Sequence, residues 1–158
     1  MASGEKEPNI DVSKTTVACR VTGPRRKGII LCGAQDWDDS DLAEIVASIK
    51  QNNAVPIRGK TATVKGFPLK SVRRLSLAHN EDLTSATGLK ALVSLFPNLN
   101  EINISKTGLK NVDHTTFDQN SHLFHLKAID TPSSCFSTQL AMKLEANMKK
   151  NMKRFILL

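Results

Sequence analysis

The chain has 158 residues and a formal net charge of +7, a size that fits one domain with a sizeable core. Six Phe, one Trp and no Tyr mean that aliphatic side chains must build that core. No run of about 18 apolar residues occurs, and the polar start lacks a signal peptide's apolar stretch, so we expect neither a membrane span nor secretion. Three scattered cysteines without C-x-x-C spacing are expected to be reduced thiols of an intracellular protein, in the cytoplasm or nucleus.

In chain order, the first segment is polar, and residues 1–14 are predicted to be a disordered arm. Residues 15–21 have strand character, and a turn at 22–28 joins them to the apolar run at 29–33. We expect a β-hairpin here that shields the first edge of a stacked sheet, because terminal units of such a stack need a cap.

Two helices are predicted from capping residues that precede apolar residues at helical spacing. The candidate N-caps are Asp38, Asp39 and Ser40 for the first helix and Thr84 and Ser85 for the second. The predicted buried faces hold Leu42, Ile45, Val46 and Ile49 in the first helix, and Leu89, Leu92, Val93 and Phe96 in the second. Between them, residues 54–68 contain two Pro and two Gly and are predicted to be an insertion.

Three stretches of apolar residues repeat at an interval of 27 residues. Leu69, Val72, Leu75 and Leu77 recur as Phe96, Leu99, Ile102 and Ile104, and again as Leu123, Leu126, Ile129 and Thr131. Within each stretch the apolar residues alternate, which is typical of a short strand with one buried face. A period of this length indicates strand–loop–helix units stacked side by side. The interval before the third strand contains only enough irregular sequence for a turn or two of helix.

These stretches carry a resemblance to a known family. The residues VRRLSLAHN at 72–80 match the pattern L-x-x-L-x-L-x-x-N, LNEINISKT at 99–107 match it with Thr107 in place of Asn, and LKAIDTPSS at 126–134 keep Leu126 and Ile129. An earlier, divergent unit is proposed at GIILCGAQDW, with Ile29 and Leu31 in its strand. Its Leu31 is aligned with Leu77, and therefore Ile29 with Leu75, an interval of 46 residues that leaves room for the insertion. Over residues 28–134 the chain resembles leucine-rich-repeat proteins of the ribonuclease-inhibitor-like class, which includes the capping domain of tropomodulins.

The resemblance implies an α/β fold, a short leucine-rich-repeat-like solenoid with parallel strands on one face and helices on the other. We expect this domain to span residues 15–135 and to be followed by a C-terminal helix at 136–158. That helix is basic and amphipathic, with apolar positions at Leu140, Leu144, Met148, Met152 and Ile156. Its stripe is expected either to cover the open end of the repeat core or to dock on a protein groove or membrane surface.

The excess positive charge lies at the two ends of the chain. Residues 1–30 carry +3, residues 31–135 carry zero and residues 136–158 carry +4. The candidate electrostatic contacts are Arg25, Arg26, Lys27, Lys149, Lys150, Lys153 and Arg154. This asymmetry indicates a charged partner such as nucleic acid or a ribonucleoprotein, with a merely solvated surface as the alternative.

In repeats of this class the strands line a concave face, and the residues between the leucines point outward. The predicted outward triplets are Arg74, Ser76 and Ala78; Glu101, Asn103 and Ser105; and Ala128, Asp130 and Pro132. Because adjacent strands lie about 4.8 Å apart, we expect Arg74 to pair with Glu101. The candidate partner-binding residues are Arg74, Ser76, His79, Glu101, Asn103, Ser105 and Asp130. A face without aromatic anchors predicts modest affinity.

Catalytic and metal-binding patterns are weak. The tripeptide GKT at 59–61 resembles the end of a phosphate-binding loop, but Ala54 replaces the required first glycine and no helix is expected to follow. His122 and His125 bracket a strand start, where residues three apart point to opposite sides. We therefore expect no enzyme activity, no cofactor, no metal and no small-molecule substrate.

The sequence predicts a non-catalytic protein–protein interaction module, an adaptor or scaffold that uses the concave face and the basic ends. The alternative is a basic structural subunit of a nucleic-acid-containing assembly, with the body as a protein dock and the ends as phosphate contacts. Phosphate contacts of this kind weaken steeply with salt. Nothing resembles an aromatic RNA-reading platform, so sequence-specific recognition of bases is not expected.

Overall fold

A computed structural model describes residues 20–22, 29–31, 37–52, 54–55, 64–65, 69–132 and 137–156, with side chains over 37–51, 69–132 and 137–152. Its strands are β1 (Arg20–Thr22), β2 (Ile29–Leu31), β3 (Ala54–Val55), β4 (Val64–Lys65), β5 (Arg74–Ser76), β6 (Glu101–Asn103) and β7 (His125–Lys127). Its α-helices are α1 (Asp39–Asn52), α2 (Ala86–Val93) and α3 (Thr138–Ile156), and 3₁₀ helices span Leu69–Ser71 and His114–Phe117.

The main sheet has the strand order β1-β2-β5-β6-β7. Strand β1 pairs antiparallel with β2, whereas β2, β5, β6 and β7 run parallel to one another. Parallel neighbours need a crossover, and α1, α2 and the 3₁₀ helix His114–Phe117 lie in the successive crossovers. The α/β class is therefore confirmed, as is the antiparallel pairing of the first two strands at the edge of the sheet. We call each parallel strand, together with the helical segment that follows it, a unit.

The hydrophobic core is built from both the strands and the helices. The strand side contributes Val72, Leu75, Leu77, Leu99, Ile102 and Ile104, and the helix side contributes Leu42, Ile45, Ile49, Leu89, Leu92 and Val93. Full burial of one such aliphatic side chain stabilises the fold by about 1.5–3 kcal/mol. Trp37, Phe96 and Phe117 are fully buried among these aliphatic residues.

Each helical segment begins at a capping residue. Asp38 caps α1, since its Oδ1 accepts the Asp41 N–H at 3.0 Å while Asp41 Oδ2 accepts the Asp38 N–H at 2.9 Å. Ser85 caps α2 by accepting the Gly88 N–H at 3.0 Å. Asp113 closes a capping box at the four-residue 3₁₀ helix that follows it. The predicted helix starts are confirmed, and so is the short turn in the third interval.

The third strand is not where the 27-residue interval places it. Leu75 pairs with Ile102, 27 positions further on, but Ile102 pairs with Leu126, only 24 positions further on. The interval shortens because the crossover before β7 holds a four-residue 3₁₀ helix, whereas α2 has eight residues. The predicted equivalence of Ile129 with Leu75 and Ile102 is therefore wrong, and the Ile129 side chain is 56% exposed.

The turn that follows each strand repeats in the corrected register. His79, Lys106 and Asp130 have positive φ angles of 63°, 55° and 56°. The next residue of each turn donates a side-chain hydrogen bond back to the end of its own strand. Asn80 Nδ2 donates to Leu77 O (2.9 Å), Thr107 Oγ1 to Ile104 O (2.7 Å) and Thr131 Oγ1 to Ala128 O (2.9 Å). Both features recur after 27 and then 24 residues, so they support the same alignment of the units.

Neighbouring turns also contact each other. The buried Asn80 side chain accepts the Trp37 N–H through its Oδ1 at 3.2 Å, which joins its turn to the start of α1. Gly108 lies so close to the preceding turn that a Cβ atom there would come within 2.7 Å of the Glu81 carbonyl oxygen. Only glycine allows this approach of two backbones.

The strand of the first unit is shifted by one residue from its predicted alignment. Ile30 pairs with Leu75, the position predicted for Ile29. Three consecutive apolar residues leave the alternation ambiguous, and a slip of one residue exchanges the two faces of a strand. The predicted alignment of Leu31 with Leu77 is wrong for the same reason.

The insertion predicted at 54–68 contains β3 and β4, which pair antiparallel with each other and not with the main sheet. A short ribbon therefore lies between α1 and the second unit. Residues 56–63 and 66–68, like the arm predicted at 1–14, lie outside the described residues.

Helix α3 packs against β7 and the 3₁₀ helix His114–Phe117 through a face that matches the predicted stripe only at its start. Along the predicted stripe, Leu140 is buried, Leu144 is half-buried, and Met148 and Met152 are 42% and 55% exposed. Asn147 is buried instead, and its Nδ2 donates to the Leu123 carbonyl at 2.7 Å. The stripe prediction is therefore wrong beyond its first half. The reason is that backbone carbonyl groups at the end of the preceding unit need hydrogen-bond donors, and an apolar side chain at this position of α3 would supply none.

A carboxylate joins α1 to the start of α2. Asp39 Oδ1 accepts the N–H groups of Thr84 and Ser85 at 2.9 and 3.0 Å, and its Oδ2 accepts the Thr84 hydroxyl at 2.6 Å. Partial burial acts to raise the pKa of Asp39, but these hydrogen bonds outweigh it, so the pKa lies below the ordinary value of 3.8.

The side-chain amide of Asn80 is expected to stabilise the fold more than the hydroxyl group of Thr107 at the equivalent position of the next turn. Asn80→Leu removes the bonds to Leu77 O and Trp37 N–H inside the core and should lower the free energy of unfolding by about 2–4 kcal/mol. Thr107→Val removes one donor at the equivalent position and should cost about 1–2 kcal/mol. Urea unfolding of both variants measures the difference, and equal losses would contradict the role of the Trp37 bond.

The Asp39 contact predicts a defined acid sensitivity. A carboxyl group whose pKa is lowered in the folded state stabilises the protein above its unfolded pKa, and this contribution is lost as pH falls below about 4. Asp39→Asn should therefore flatten the decline in stability between about pH 4 and pH 2. Thr84→Val, which removes one of the three hydrogen bonds, should flatten it less. Urea unfolding against pH is the measurement, and an unchanged slope in Asp39→Asn would refute the assignment.

Candidate protein-interaction surface

Two rows of side chains cross the outer face of the parallel sheet, the face that points away from the core. By strand register, the first row is Arg74, Glu101 and His125, and the second row is Ser76, Asn103 and Lys127. These positions alternate with Leu75, Ile102 and Leu126, which pack in or against the core. All six residues are half-buried or exposed. We call them the outer-face rows.

The first row contains the ion pair that the sequence predicts. Arg74 Nε lies 2.6 Å from Glu101 Oε2, and the two side chains are 60% and 30% exposed. An exposed pair of this kind contributes only about 0–1 kcal/mol, because water screens it. Its effect is therefore to orient the two side chains and to balance the Glu101 charge. By strand register His125 is the neighbour of Glu101 on the other side, so Glu101 occupies the middle position of this row.

Side chains of the second row are held by the backbone that follows them. Ser76 Oγ accepts the Ala78 N–H at 3.4 Å, and Asn103 Oδ1 accepts the Ser105 N–H at 3.0 Å. Each bond spans two residues, the local pattern typical of Ser and Asn at the end of a strand. The second row thus presents polar groups with restricted orientation, followed by the exposed Lys127.

Ser105 does not belong to the exposed face. It is 7% exposed, and its hydroxyl accepts the Ile129 N–H at 3.0 Å. Ala78, the equivalent residue of the preceding unit, is also 7% exposed. The alternation stops here because the strands end at Ser76 and Asn103, and the chain then turns. The expectation that Ser105 points outward is therefore wrong.

Asp130 and His79 lie beside the rows rather than in them. Both are exposed residues of positive φ, in the turns that follow β7 and β5. The shortened interval puts Lys127 where the sequence places Asp130, so the third position of the polar row carries a positive charge instead of a negative one. Ala128 is displaced as well, since it packs against the core and does not belong to the outward row.

The basic ends are described only in part. Lys149 pairs with Glu145 one helical turn earlier, at 3.2 Å, and Lys150 is exposed. Lys153 and Arg154 lie on α3, but their side chains are outside the described residues, as is the whole segment 25–27. Of the basic residues predicted to make electrostatic contacts, the structure therefore describes the side chains of Lys149 and Lys150 alone.

The lowered pKa values in the described part of the chain belong to helix starts. A hydrogen bond from Ser40 lowers the pKa of Asp38, and one from Thr115 lowers the pKa of Asp113. Both are explained by helix capping, as Asp39 is by its contact with α2. Within the same part of the chain, no cluster of three His, Cys, Asp or Glu residues could hold a metal ion. None of the helices there is long and apolar enough to cross a membrane.

Comparison with models of known protein families finds no match for this chain, and comparison with curated proteins finds none either. The outer-face rows must therefore be interpreted from their own geometry and chemistry.

His125 and Lys127 are outer-face residues that the sequence alignment missed. A signal for them exists in the polar residue of each turn. Asn80 and Thr107 are 27 residues apart, and taking Thr131 as the next member gives an interval of 24, which places β7 correctly. The apolar residues alone do not distinguish these two intervals.

The ion pair between Arg74 and Glu101 is expected to contribute little to the stability of the fold. Arg74→Ala and Glu101→Ala should each change the free energy of unfolding by less than about 1 kcal/mol, because both side chains are partly solvated. A double-mutant cycle in urea should give a coupling energy of about 0.2–1 kcal/mol that decreases with added salt. A coupling above about 2 kcal/mol would show instead that the pair is part of the stabilising core.

Proposed function

We propose that this chain is a short leucine-rich-repeat-like array that acts as a non-catalytic protein-interaction module inside the cell. Parallel strands that alternate with helical segments support the repeat assignment, as do the recurring positive-φ residue and the polar side chain after it. The partial match of residues 72–80 and 99–107 to the repeat pattern adds to this. Scattered cysteines without a pairing pattern support the intracellular setting.

The outer-face rows are the observation on which the proposal rests. Their six polar residues stand on three adjacent strands at a spacing of about 4.8 Å, above strand residues that are buried in the core. Strands β5 and β6 are held on both sides by neighbouring strands, and β7 is held by β6. A partner would therefore not have to order the backbone beneath the rows on binding. A rigid, polar, partly exposed surface of this kind fits recognition of another protein better than catalysis.

The chemistry of the rows indicates what the partner offers. Arg74 and Glu101 balance each other, whereas Lys127 adds a positive charge at the end of the second row. Ser76 and Asn103 supply hydrogen-bonding groups between them. No aromatic side chain is present in the rows, so we expect a polar contact of modest affinity whose orientation is set by charge.

The alternative proposal is a basic subunit of a ribonucleoprotein. Its support is the charge distribution, since residues 136–158 carry +4 and the exposed Lys150 lies on α3. Binding to phosphates would then dominate and would fall steeply as salt is added.

An affinity capture from native extract, with and without nuclease, tests the two proposals. The bait is the full chain, compared with a variant carrying Arg74→Glu and Lys127→Glu on the outer-face rows. Lys50→Glu, at an exposed position of α1, serves as the matched control. Reversal of two charges at the contact should lower recovery of a row-bound protein at least about tenfold.

Partners that survive nuclease, bind the Lys50→Glu control and are lost with the double variant would support the interaction module. Partners that are lost with nuclease and are indifferent to the double variant would support the ribonucleoprotein subunit. Circular dichroism of each bait is needed alongside, so that loss of binding is not confused with loss of folding.

A further inference from the structure

Exposed large apolar side chains are concentrated at one end of the part of the chain that the structure describes. They are Ile129 (56% exposed), Met142 (64%), Met148 (42%) and Met152 (55%). Three of these four lie on α3, and Ile129 follows β7, the strand that α3 contacts. Methionine is flexible and polarizable, which makes it suited to surfaces that adapt to a partner. This concentration indicates a docking surface on α3, separate from the outer-face rows.

The inner side of α3 is already occupied. Leu140 is buried in the core, Asn147 donates to the Leu123 carbonyl, and Asn151 Nδ2 donates to the His122 carbonyl at 3.4 Å. A partner can therefore reach only the outer half of the helix. This excludes recognition by a clamp that closes around the whole helix and leaves contact along one side.

The exposed apolar side chains do not form one continuous stripe. At about 100° per residue, Met148 and Met152 fall on one flank of the helix, and Met142 lies about 80–120° further round. Glu145 and Lys149, which pair at 3.2 Å, stand between the two. A helix that lies in a membrane surface needs an uninterrupted apolar face. The divided arrangement fits a protein surface with both apolar and charged positions better than it fits a lipid surface.

The charge of α3 defines that protein surface further. The helix carries five basic residues and one acidic residue, Glu145, so its net charge is +4. A complementary partner must therefore carry carboxylates beside its apolar residues. We propose that the outer side of α3 docks an acidic amphipathic segment of another protein. Met148 and Met152 pack among its apolar side chains, and Lys149, which lies about 60–100° round the helix from them, faces its carboxylates.

Methionine methyl NMR on the full chain tests the proposal directly, because three of its four methionines lie on α3. The probe is a synthetic helical peptide of about 18 residues with Leu on one face and Glu on the other. A peptide of the same composition in scrambled order is the control. The patterned peptide should shift the signals of Met148 and Met152, and the scrambled peptide should not.

Two variants identify the contact. The double change Met148→Ser with Met152→Ser, and separately Lys149→Glu, should each weaken binding of the patterned peptide at least about tenfold. Arg74→Glu on the outer-face rows should leave it unchanged, which keeps this result distinguishable from the proposed function. Equal binding of the scrambled peptide, no shift at either methionine, or a shift produced only by vesicles of equimolar phosphatidylcholine and phosphatidylserine would overturn the proposal.

Discussion

A polar side chain in each turn hydrogen-bonds the carbonyl group of the residue that directly follows its own strand, and this bond fixes the turn between a strand and its helical segment. Asn80 and Thr107 are almost fully buried, so losing the bond at either would leave a carbonyl unsatisfied at a cost of about 1–3 kcal/mol. The bond holds the chain in the positive-φ turn, and that turn leads the chain away from the sheet towards its helical segment. The register of successive strands places Arg74 beside Glu101.

The proposed function follows from the contrast between the two sides of each strand. Residues such as Leu75 and Ile102 are buried and fix the strand in place, while the residues between them are left to present hydrogen-bonding and charged groups. The surface is therefore ordered by the core and not by its own contacts, which are weak. Side chains on it are free to change without loss of the fold, so the same framework suits different partners.

Much of the fold can be predicted from residue patterns, and the failures have identifiable causes. Helix starts are predictable because a capping residue such as Asp38 or Ser85 acts locally. The position of β7 is not predictable in this way, because the length of the crossover before it depends on how its residues fill the space beside α2. The spacing of apolar residues in the sequence carries no information on this packing. The same error moves Lys127 into the outer-face rows and Asp130 out of them. The buried face of α3 is missed because Asn147 satisfies backbone carbonyls, a need that hydrophobic periodicity cannot reveal.

The anchoring of α3 by amide side chains also has a dynamic consequence. Asn147 and Asn151 donate hydrogen bonds to carbonyl groups that water can also hydrogen-bond once the helix moves away. Leu140, at the beginning of the helix, is buried in the core, and exposing it to water is unfavourable. The helix is thus hinged at its beginning and more easily released towards its end, by partial opening well short of unfolding. Such release would expose β7, the edge strand of the main sheet that α3 contacts, and an edge strand can pair with a foreign strand. A partner seated on α3 would hold that edge closed.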